Sequence, residues 1–217
     1  MKSLLKRFSF EAGISLIELI VVIVLLSLAM TGITSVLISS MRAQQKVDAQ
    51  FRSQLDARQV LYDMESNIAE AKREDSLGNQ PVFQDDLISF PSQSAGKWIT
   101  YTYATLPGAS QPTIIRLITD GKPAIPPVLT ASDKQMIVIG SNGGQTTSAD
   151  RVNNGPIFTY FGDDGSQIMP NPGTGSVTTP RSVRSVKVSF ETTTSEGHAD
   201  RQPAISTTQV NLRNFQG

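Results

Sequence analysis

The chain has 217 residues, enough for one globular domain of ordinary size beside a membrane helix. Its 19 basic residues balance its 19 acidic residues, so composition indicates no nucleic-acid-binding surface, and we expect no direct contact with nucleic acid. The absence of cysteine excludes disulfides and a Cys–His nucleophile pair, and the single histidine, His198, argues against a zinc site. We therefore expect no enzyme activity, no cofactor and no metal.

The chain begins with a short basic leader, MKSLLKRFSFEAG, which is followed by a long apolar run. The run covers residues 14–38, and Glu18 is its only ionisable side chain. At ~1.5 Å per residue a helix of this length spans ~37 Å, which suffices to cross a ~30 Å hydrocarbon core. An ordinary secretory signal has a shorter apolar region, and its small-residue cleavage site follows that region. The pattern therefore predicts a membrane helix.

Three features coincide at this point: the leader ends in Gly13, the apolar helix begins at Ile14, and Glu18 is the fifth residue of that helix. On these residues the chain resembles the type IV pilin superfamily, which includes minor pilins and pseudopilins. The resemblance implies that a prepilin peptidase cleaves after Gly13 and that the new amino terminus on Ile14 is methylated. Ile14 stands where the family most often has Phe. The resemblance also implies that Glu18 takes part in assembly.

The resemblance also implies an orientation, which the basic residues on either side of the helix do not decide. The leader would be cytoplasmic, and the chain would cross the inner (cytoplasmic) membrane once with its C-terminal domain exported. After assembly the protein would belong to a cell-surface or periplasmic filament. The implied partners are other pilins or pseudopilins in the filament, the prepilin peptidase, the inner-membrane assembly platform and the lipid bilayer.

Glu18 has a physical interpretation that does not depend on the family. A charge inside a spanning helix costs roughly 2.5–3.5 kcal/mol at the helix centre and less near an end, so it usually has a partner. Cleavage after Gly13 would create an amine on Ile14 that can pair with Glu18 of a neighbouring subunit. At ~4 Å and an effective dielectric of ~20, the attraction is about 4 kcal/mol before desolvation. The alternative is a stray glutamate in an uncleaved signal anchor.

Beyond residue 40 the hydrophobicity falls, but we expect the helix to continue to about Asp75. No proline or glycine interrupts residues 33–77, and the segment 77–81, LGNQP, contains the glycine and proline of a helix stop. Two helices hinged near Gly32 are the alternative. Seven apolar residues lie close to one face of a 3.6-residue period, namely Val47, Phe51, Leu55, Leu61, Met64, Ile68 and Ala71.

The rest of the chain has the pattern of β-strands separated by turns. Alternation is clearest at Val186, Val188 and Phe190, which share one face of a strand. We therefore expect an α+β fold, in which the second half of the long helix packs on a C-terminal antiparallel sheet. The predicted strands are 87–90, 98–104, 113–119, 136–140, 157–161, 183–191 and 208–212. The predicted domains are a leader 1–13, a transmembrane helix 14–38, an amphipathic half-helix 39–76 and a β-rich domain 77–217.

A second resemblance involves residues 155–168, GPIFTYFGDDGSQI, and residues 210–214, VNLRN. Larger minor pilins and J-type minor pseudopilins have a similar aromatic strand, an acidic–glycine turn and a late strand that ends in Arg-Asn. Two long loops, 140–156 and 170–180, are rich in turn formers. They are either filament contacts or solvated loops.

Two further groups of side chains, one acidic and one aromatic, have the chemistry of a binding site. Asp163 and Asp164 can offer oxygen ligands to calcium, but a full site needs roughly six to eight oxygens, so a turn is the favoured interpretation. Trp98, Tyr101 and Tyr103 can form an aromatic platform. Because Trp98 points to the opposite face of the strand from the two tyrosines, mixed core and surface packing is favoured instead.

These features predict a structural subunit, a minor pilin or minor pseudopilin of a type IV pilus or a type II secretion-like filament. It would be cleaved after Gly13, assembled through its N-terminal helix, and by resemblance would help to initiate or cap the filament. The alternative is a single-pass, membrane-anchored binding module or adhesin that uses its C-terminal loops. The sequence leaves open whether the machine is a pilus, a secretion pseudopilus or a competence pilus.

Overall fold

The computed structural model contains one long helix and a C-terminal domain of antiparallel strands, which confirms the α+β class. It divides into two compact units, with the boundary between Val47 and Asp48. The helix α1 extends over Leu16–Ala69 without interruption at Gly32, so the alternative of two hinged helices is wrong. The structure describes residues 16–93, 96–108, 112–129, 147–194 and 204–215.

The strands of the second unit form two antiparallel sheets, where the sequence predicted one. Alternation identifies strands but does not tell which strands pair, so the division was not predictable from pattern alone. The strands are β1 Val82–Phe83, β2 Leu87–Pro91, β3 Lys97–Ala104, β4 Thr113–Asp120, β5 Thr147–Asp150, β6 Phe158–Phe161, β7 Gln167–Ile168, β8 Ser185–Thr194 and β9 Ala204–Asn211.

Six of the seven predicted strands are present, with ends that differ by a few residues. The seventh prediction, 136–140, lies outside the described residues. Three observed strands, β1, β5 and β7, were not predicted. They contain two, four and two residues, which is too short for a period of two to be recognised.

The first sheet is a meander in the order β1-β2-β3-β4. Its longest pairing joins β3 and β4, from Lys97 opposite Asp120 to Ala104 opposite Thr113. All five residues of β2 are buried. Ser89 and Thr100 lie opposite each other on β2 and β3, and their buried hydroxyl oxygens are 2.8 Å apart. The two polar side chains therefore satisfy each other inside the domain.

The second sheet is built around β8. One edge of β8 pairs with β9 over eight residues, and the other edge pairs with β6 and then β5. Val186, Val188 and Phe190 are completely buried on one face of β8, which confirms the predicted alternation. β7 pairs with β6 and completes this sheet.

The second part of α1 packs on the domain through a shorter apolar face than the sequence predicted. Ala57, Val60, Met64 and Ile68 belong to the buried core, together with residues of both sheets. Two side chains that were predicted on this face are exposed, Phe51 by 60% and Leu55 by 46%, and Val47 of the first unit is also exposed. The predicted face was wrong at these positions because the core contacts of the helix begin only at Ala57.

The helix ends at Ala69, six residues before the predicted end at Asp75. The next main-chain groups have partners outside the helix: the Lys72 N–H donates to the Pro91 carbonyl at the end of β2, at 2.9 Å. Gly78, predicted as part of the helix stop, lies in a separate turn and has a φ of +78°. That turn is closed by Asp75, whose Oδ1 accepts hydrogen bonds from the N–H groups of Leu77 and Asn79. The stop signal therefore belongs to the turn after the helix.

The C-terminal segment binds the backbone just after the helix. The Asn214 side-chain Nδ2 donates to the carbonyl oxygens of Glu70 and Ala71, each at 3.2 Å. These two residues follow the last helical residue, Ala69, so Asn214 caps the backbone where it leaves the helix. Next to it Phe215 is buried, with its ring centroid 6.3 Å from that of Phe83.

Replacing the capping side chain should lower the stability of the domain. We expect Asn214→Ala to reduce the free energy of unfolding by about 1 kcal/mol, because two carbonyl acceptors lose their donor. Urea unfolding of the full chain in mild detergent measures this change. The control is Asn211→Ala, an exposed asparagine at the end of β9, for which we expect a change below about 0.5 kcal/mol. Equal effects of the two substitutions would contradict the capping role.

Candidate functional site

The first candidate site is the apolar part of α1, whose large apolar side chains are exposed on all sides from Leu16 to Met41. The most apolar window of the span Leu16–Asp48 has a mean hydropathy of 2.7, and none of that window is buried. A helix in the core of a soluble protein buries one face, as the second part of α1 does. Length and composition thus allow this segment to cross a membrane.

Four hydroxyl groups of this segment are satisfied within the helix itself. Each of four side chains donates to a main-chain carbonyl three or four residues earlier, at distances of 2.7–2.9 Å. In an apolar environment an unpaired polar group costs several kcal/mol, so internal bonding makes these residues compatible with lipid or with a helix bundle. The four side chains are Ser27, Thr31, Thr34 and Ser39.

Glu18 lies in the first turn of α1 and is exposed. Between residues 16 and 41 it is the only ionisable side chain. Its negative charge at the start of the helix is favourable with respect to the helix dipole. Among the described residues its carboxylate has no partner. The other two predicted site residues, Gly13 and Ile14, lie outside the described residues.

The second candidate site is the polar contact that fixes residues 57–71 of the chain to the first sheet. Asp63 of α1 uses both carboxylate oxygens: Oδ1 pairs with Arg116 Nη1 of β4 at 2.5 Å, and Oδ2 accepts from the Tyr101 hydroxyl of β3 at 2.8 Å. Asn67, one turn further along α1, donates to the same hydroxyl oxygen at 3.1 Å. Burial, and then the charge of Asp63, raises the pKa of Tyr101 strongly, so its hydroxyl remains a proton donor.

A related cluster connects the two sheets. Arg151, just after β5, pairs with Asp86 in the turn between β1 and β2, and its guanidinium lies 5.5 Å from the ring centroid of Tyr103 on β3. The Tyr103 hydroxyl donates to Asp150 Oδ1 at 2.8 Å. Burial raises the pKa of Asp86, and the Arg151 charge opposes that shift. The cluster holds the first sheet against the second. Its polar groups are engaged with one another, so they do not form a binding pocket.

The Asp163–Asp164 segment forms the hairpin turn between β6 and β7, in agreement with the favoured interpretation. Asp163 Oδ1 accepts from Arg184 Nε at 2.7 Å, and Asp164 Oδ1 accepts from the Ser166 main-chain N–H at 2.9 Å. The bonds from Ser166 lower the pKa of the Asp164 carboxyl. Within the described part of the chain, no group of three or more His, Cys, Asp or Glu side chains is placed to hold a metal ion.

The three aromatic residues considered as a platform belong mainly to the core. Trp98 and Tyr101 are buried, and Tyr103 is half-buried. The Trp98 Nε1 donates to Asp75 Oδ2 at 3.3 Å, and the Lys122 ammonium lies 5.9 Å from the centre of the Trp98 ring. Trp98 and Tyr101 are thus both core residues and only Tyr103 reaches the surface, so the predicted mixture of core and surface packing holds only in part. His198 lies outside the described residues.

Sequence reasoning missed the polar contacts of Asp63 and Arg151. One signal was present, since Arg116 interrupts an otherwise apolar strand, TIIRLIT, and a charge at such a position usually has a partner. The sequence did not reveal the partner, because Asp63 lies 53 residues earlier, on a different element.

Comparisons of the chain with protein-family models, with curated proteins and with solved structures give no match. The function is therefore argued from the residues and contacts of this chain.

The Tyr101 hydroxyl should contribute measurably to the attachment of the helix. We expect Tyr101→Phe to lower the free energy of unfolding by about 1–2 kcal/mol, because Asp63 Oδ2 loses the tyrosine donor and Asn67 loses one of its two acceptors. The matched control is Tyr62→Phe on the same helix, where the side chain is 76% exposed and we expect less than about 0.5 kcal/mol. Urea unfolding of the full chain in detergent measures both. A Tyr101→Phe protein as stable as the wild type would refute this assignment.

Proposed function

We propose that the chain is a structural subunit of a type IV pilus or a type II secretion-like filament, that is, a minor pilin or minor pseudopilin. One observation carries the proposal. A basic leader ends in Gly13, and Glu18 follows as the only ionisable residue at the start of a helix whose apolar side chains are exposed on all sides. A plain membrane anchor needs the apolar length but has no use for a carboxylate at that position.

The exposed apolar surface suits the two environments that such a subunit occupies. Before assembly the segment is surrounded by lipid, and in a filament it is surrounded by the corresponding segments of other subunits. Both environments are apolar, so the helix needs apolar side chains around its whole circumference in each. The internally bonded hydroxyl groups of residues 27–39 suit both for the same reason.

In the proposed mechanism, hydrolysis of the Gly13–Ile14 peptide bond by a prepilin peptidase leaves a carboxylate on the leader and a free amine on Ile14. The protonated amine of one subunit then pairs with Glu18 of a neighbour. Stacking in any other register leaves both charges unpaired in an apolar bundle, at a cost of several kcal/mol. The pair thus selects one register. The filament would be assembled from the inner membrane by a separate assembly platform.

The exported domain is held on the same helix that enters the filament. Asp63, with Arg116 and Tyr101, anchors the second part of α1 to the first sheet, and the core face from Ala57 to Ala71 adds apolar contacts. A force that extracts the helix from the membrane is therefore transmitted to the domain through polar and apolar contacts together. This supports a mechanical role for the domain attachment.

Processing is the first test of this proposal. In cells with an active prepilin peptidase, we expect the mature protein to begin at Ile14 and to lack the mass of residues 1–13. Mass spectrometry of the amino terminus, from membranes and from sheared surface material, measures this. The control is Gly13→Val, which should retain Met1. A wild-type terminus at Met1 would contradict the proposal and favour a plain anchor, with the C-terminal loops as the site of a binding function.

The second test concerns Glu18. We expect Glu18→Ala to insert into the membrane normally but to enter filaments about tenfold less. A tenfold decrease corresponds to a loss of about 1.4 kcal/mol of assembly free energy per subunit. The ratio of the subunit in sheared filaments to that in membranes measures this. Ser27→Ala, in the same helix and away from the charge, should assemble like the wild type. Normal incorporation of Glu18→Ala would refute the pairing mechanism.

A further inference from the structure

The open edges of the two sheets differ in how they are protected against pairing with other chains. Exposed edge strands bind foreign strands, and proteins normally prevent this with very short edges or with charged side chains. In the described part of the chain, β1, β5 and β7 are two to four residues long. β4 is longer, but it carries Arg116 and Asp120. Four of the five edge strands are therefore protected.

The fifth edge strand, β9, has neither protection. Its eight residues, AISTTQVN, contain no charged residue and no proline. It pairs with β8 in an unbroken register from Ser185 opposite Asn211 to Thr192 opposite Ala204, so no bulge interrupts it. Among the described residues no strand lies on its outer edge. A long, regular and neutral edge of this kind is a site for strand addition.

The hydrogen bonds of β8 indicate which main-chain groups of β9 point outward. In an antiparallel pair, successive residues direct their N–H and C=O groups to alternate edges. Just beyond β9, the Leu212 N–H donates to the Arg184 carbonyl on the side of β8, so the even-numbered residues of β9 face β8. The odd-numbered residues present their main-chain groups to the open edge, namely Ile205, Thr207, Gln209 and Asn211.

We propose that this edge binds β9 of a second copy of the chain, antiparallel and about a two-fold axis at Thr208. In that register Thr207 lies opposite Gln209 of the other copy, and Ile205 lies opposite Asn211. All four outward-facing residues then exchange both main-chain hydrogen bonds with their partners, and the two sheets become one continuous sheet. An isologous contact of this kind closes after two copies.

The side chains explain why the occupant is a second β9. A strand that pairs along the whole edge is about eight residues long and free of proline, and β9 itself meets both conditions. Side chains that lie next to each other on successive strands form rows across the joined sheet. One row contains Lys187 and Gln209 of one copy, followed by Thr207 and Ser189 of the other. A second row contains Glu191 and Ile205 of one copy, followed by Asn211 and Ser185 of the other. No row brings like charges together, so nothing electrostatic opposes the pairing. Pairing through β9 involves neither Glu18 nor processing, so it is independent of the proposed function.

Hydrogen exchange of the full chain in detergent tests the proposal. At high protein concentration we expect the amides of Thr207 and Gln209 to exchange at least tenfold more slowly than after dilution to the monomer. Protection that does not change on dilution would show that the chain covers its own edge, and it would overturn the proposal. Fast exchange at every concentration would overturn it as well.

Substitutions at Thr207 identify the edge itself. Thr207→Pro removes an outward N–H while keeping the bonds to β8, so the domain should fold and the dimer should weaken at least tenfold. Thr207→Lys places a charge on each copy next to the axis and should have the same effect without changing the main chain. Thr207→Val is the matched control and should dimerise normally. A dimer that survives both Thr207→Pro and Thr207→Lys would overturn the proposal.

Cross-linking adds a geometric test, because the chain has no cysteine of its own. A cysteine on the two-fold axis meets its own copy, so Thr208→Cys should form a disulfide-linked dimer on mild oxidation. Thr159→Cys, on β6 in the interior of the same sheet, should not. Failure of Thr208→Cys to cross-link, or equal cross-linking at the two positions, would overturn the proposed register.

Discussion

The arrangement of helix and sheet depends on the carboxylate of Asp63. Apolar packing of Ala57, Met64 and Ile68 holds α1 on the domain but is non-directional, so it tolerates small shifts along the helix axis. The two oxygens of Asp63 are directional and accept from different strands, β4 through Arg116 and β3 through Tyr101. Together they fix both the position of the helix along its axis and its rotation about it.

The end of the helix is fixed in the same way by distant residues. The Lys72 main-chain N–H donates to Pro91 at the end of β2, and Asn214 binds the two carbonyl groups just after the helix from the far end of the chain. The helix, the first sheet and the C-terminal segment are therefore mutually dependent. The second sheet joins this arrangement through Arg151, which contacts Asp86 and Tyr103. Arg116 thus connects the helix to the first sheet, Arg151 connects the first sheet to the second, and the shared core joins all three.

The sequence predicts those parts of the fold that local pattern controls. The apolar run around Glu18 and the alternation at Val186, Val188 and Phe190 each identify an element from neighbouring residues alone. The helix end at Ala69 is not predictable in this way, because the backbone just after it bonds to Pro91 and Asn214, which lie 19 and 143 residues from their partners. Phe51 and Leu55 fit the helical period but lie outside the region that the core covers. Period identifies a face, and only tertiary contact determines how much of it is buried.

The candidate sites show the same difference between local pattern and tertiary contact. Glu18 is recognisable from sequence because a lone charge in an apolar run is anomalous wherever the run is placed. Asp63 is not recognisable, because charged residues are common on the second part of α1 and only its partners distinguish it. Asp163 and Asp164 are a different case, since adjacent carboxylates can suggest a ligand site, but local sequence already favoured a turn, and Arg184 and Ser166 engage both residues there.

The internally bonded hydroxyl groups of the apolar helix have a consequence for reversibility. Ser27, Thr31, Thr34 and Ser39 form their hydrogen bonds with carbonyl groups of their own helix, so these bonds are the same in lipid and in protein. In the proposed function, a transfer between lipid and a bundle of like helices would therefore neither break nor create a hydrogen bond at these four residues. The balance between the two states would then rest on packing and on the charge near the first turn. The four hydroxyl groups themselves would favour neither state.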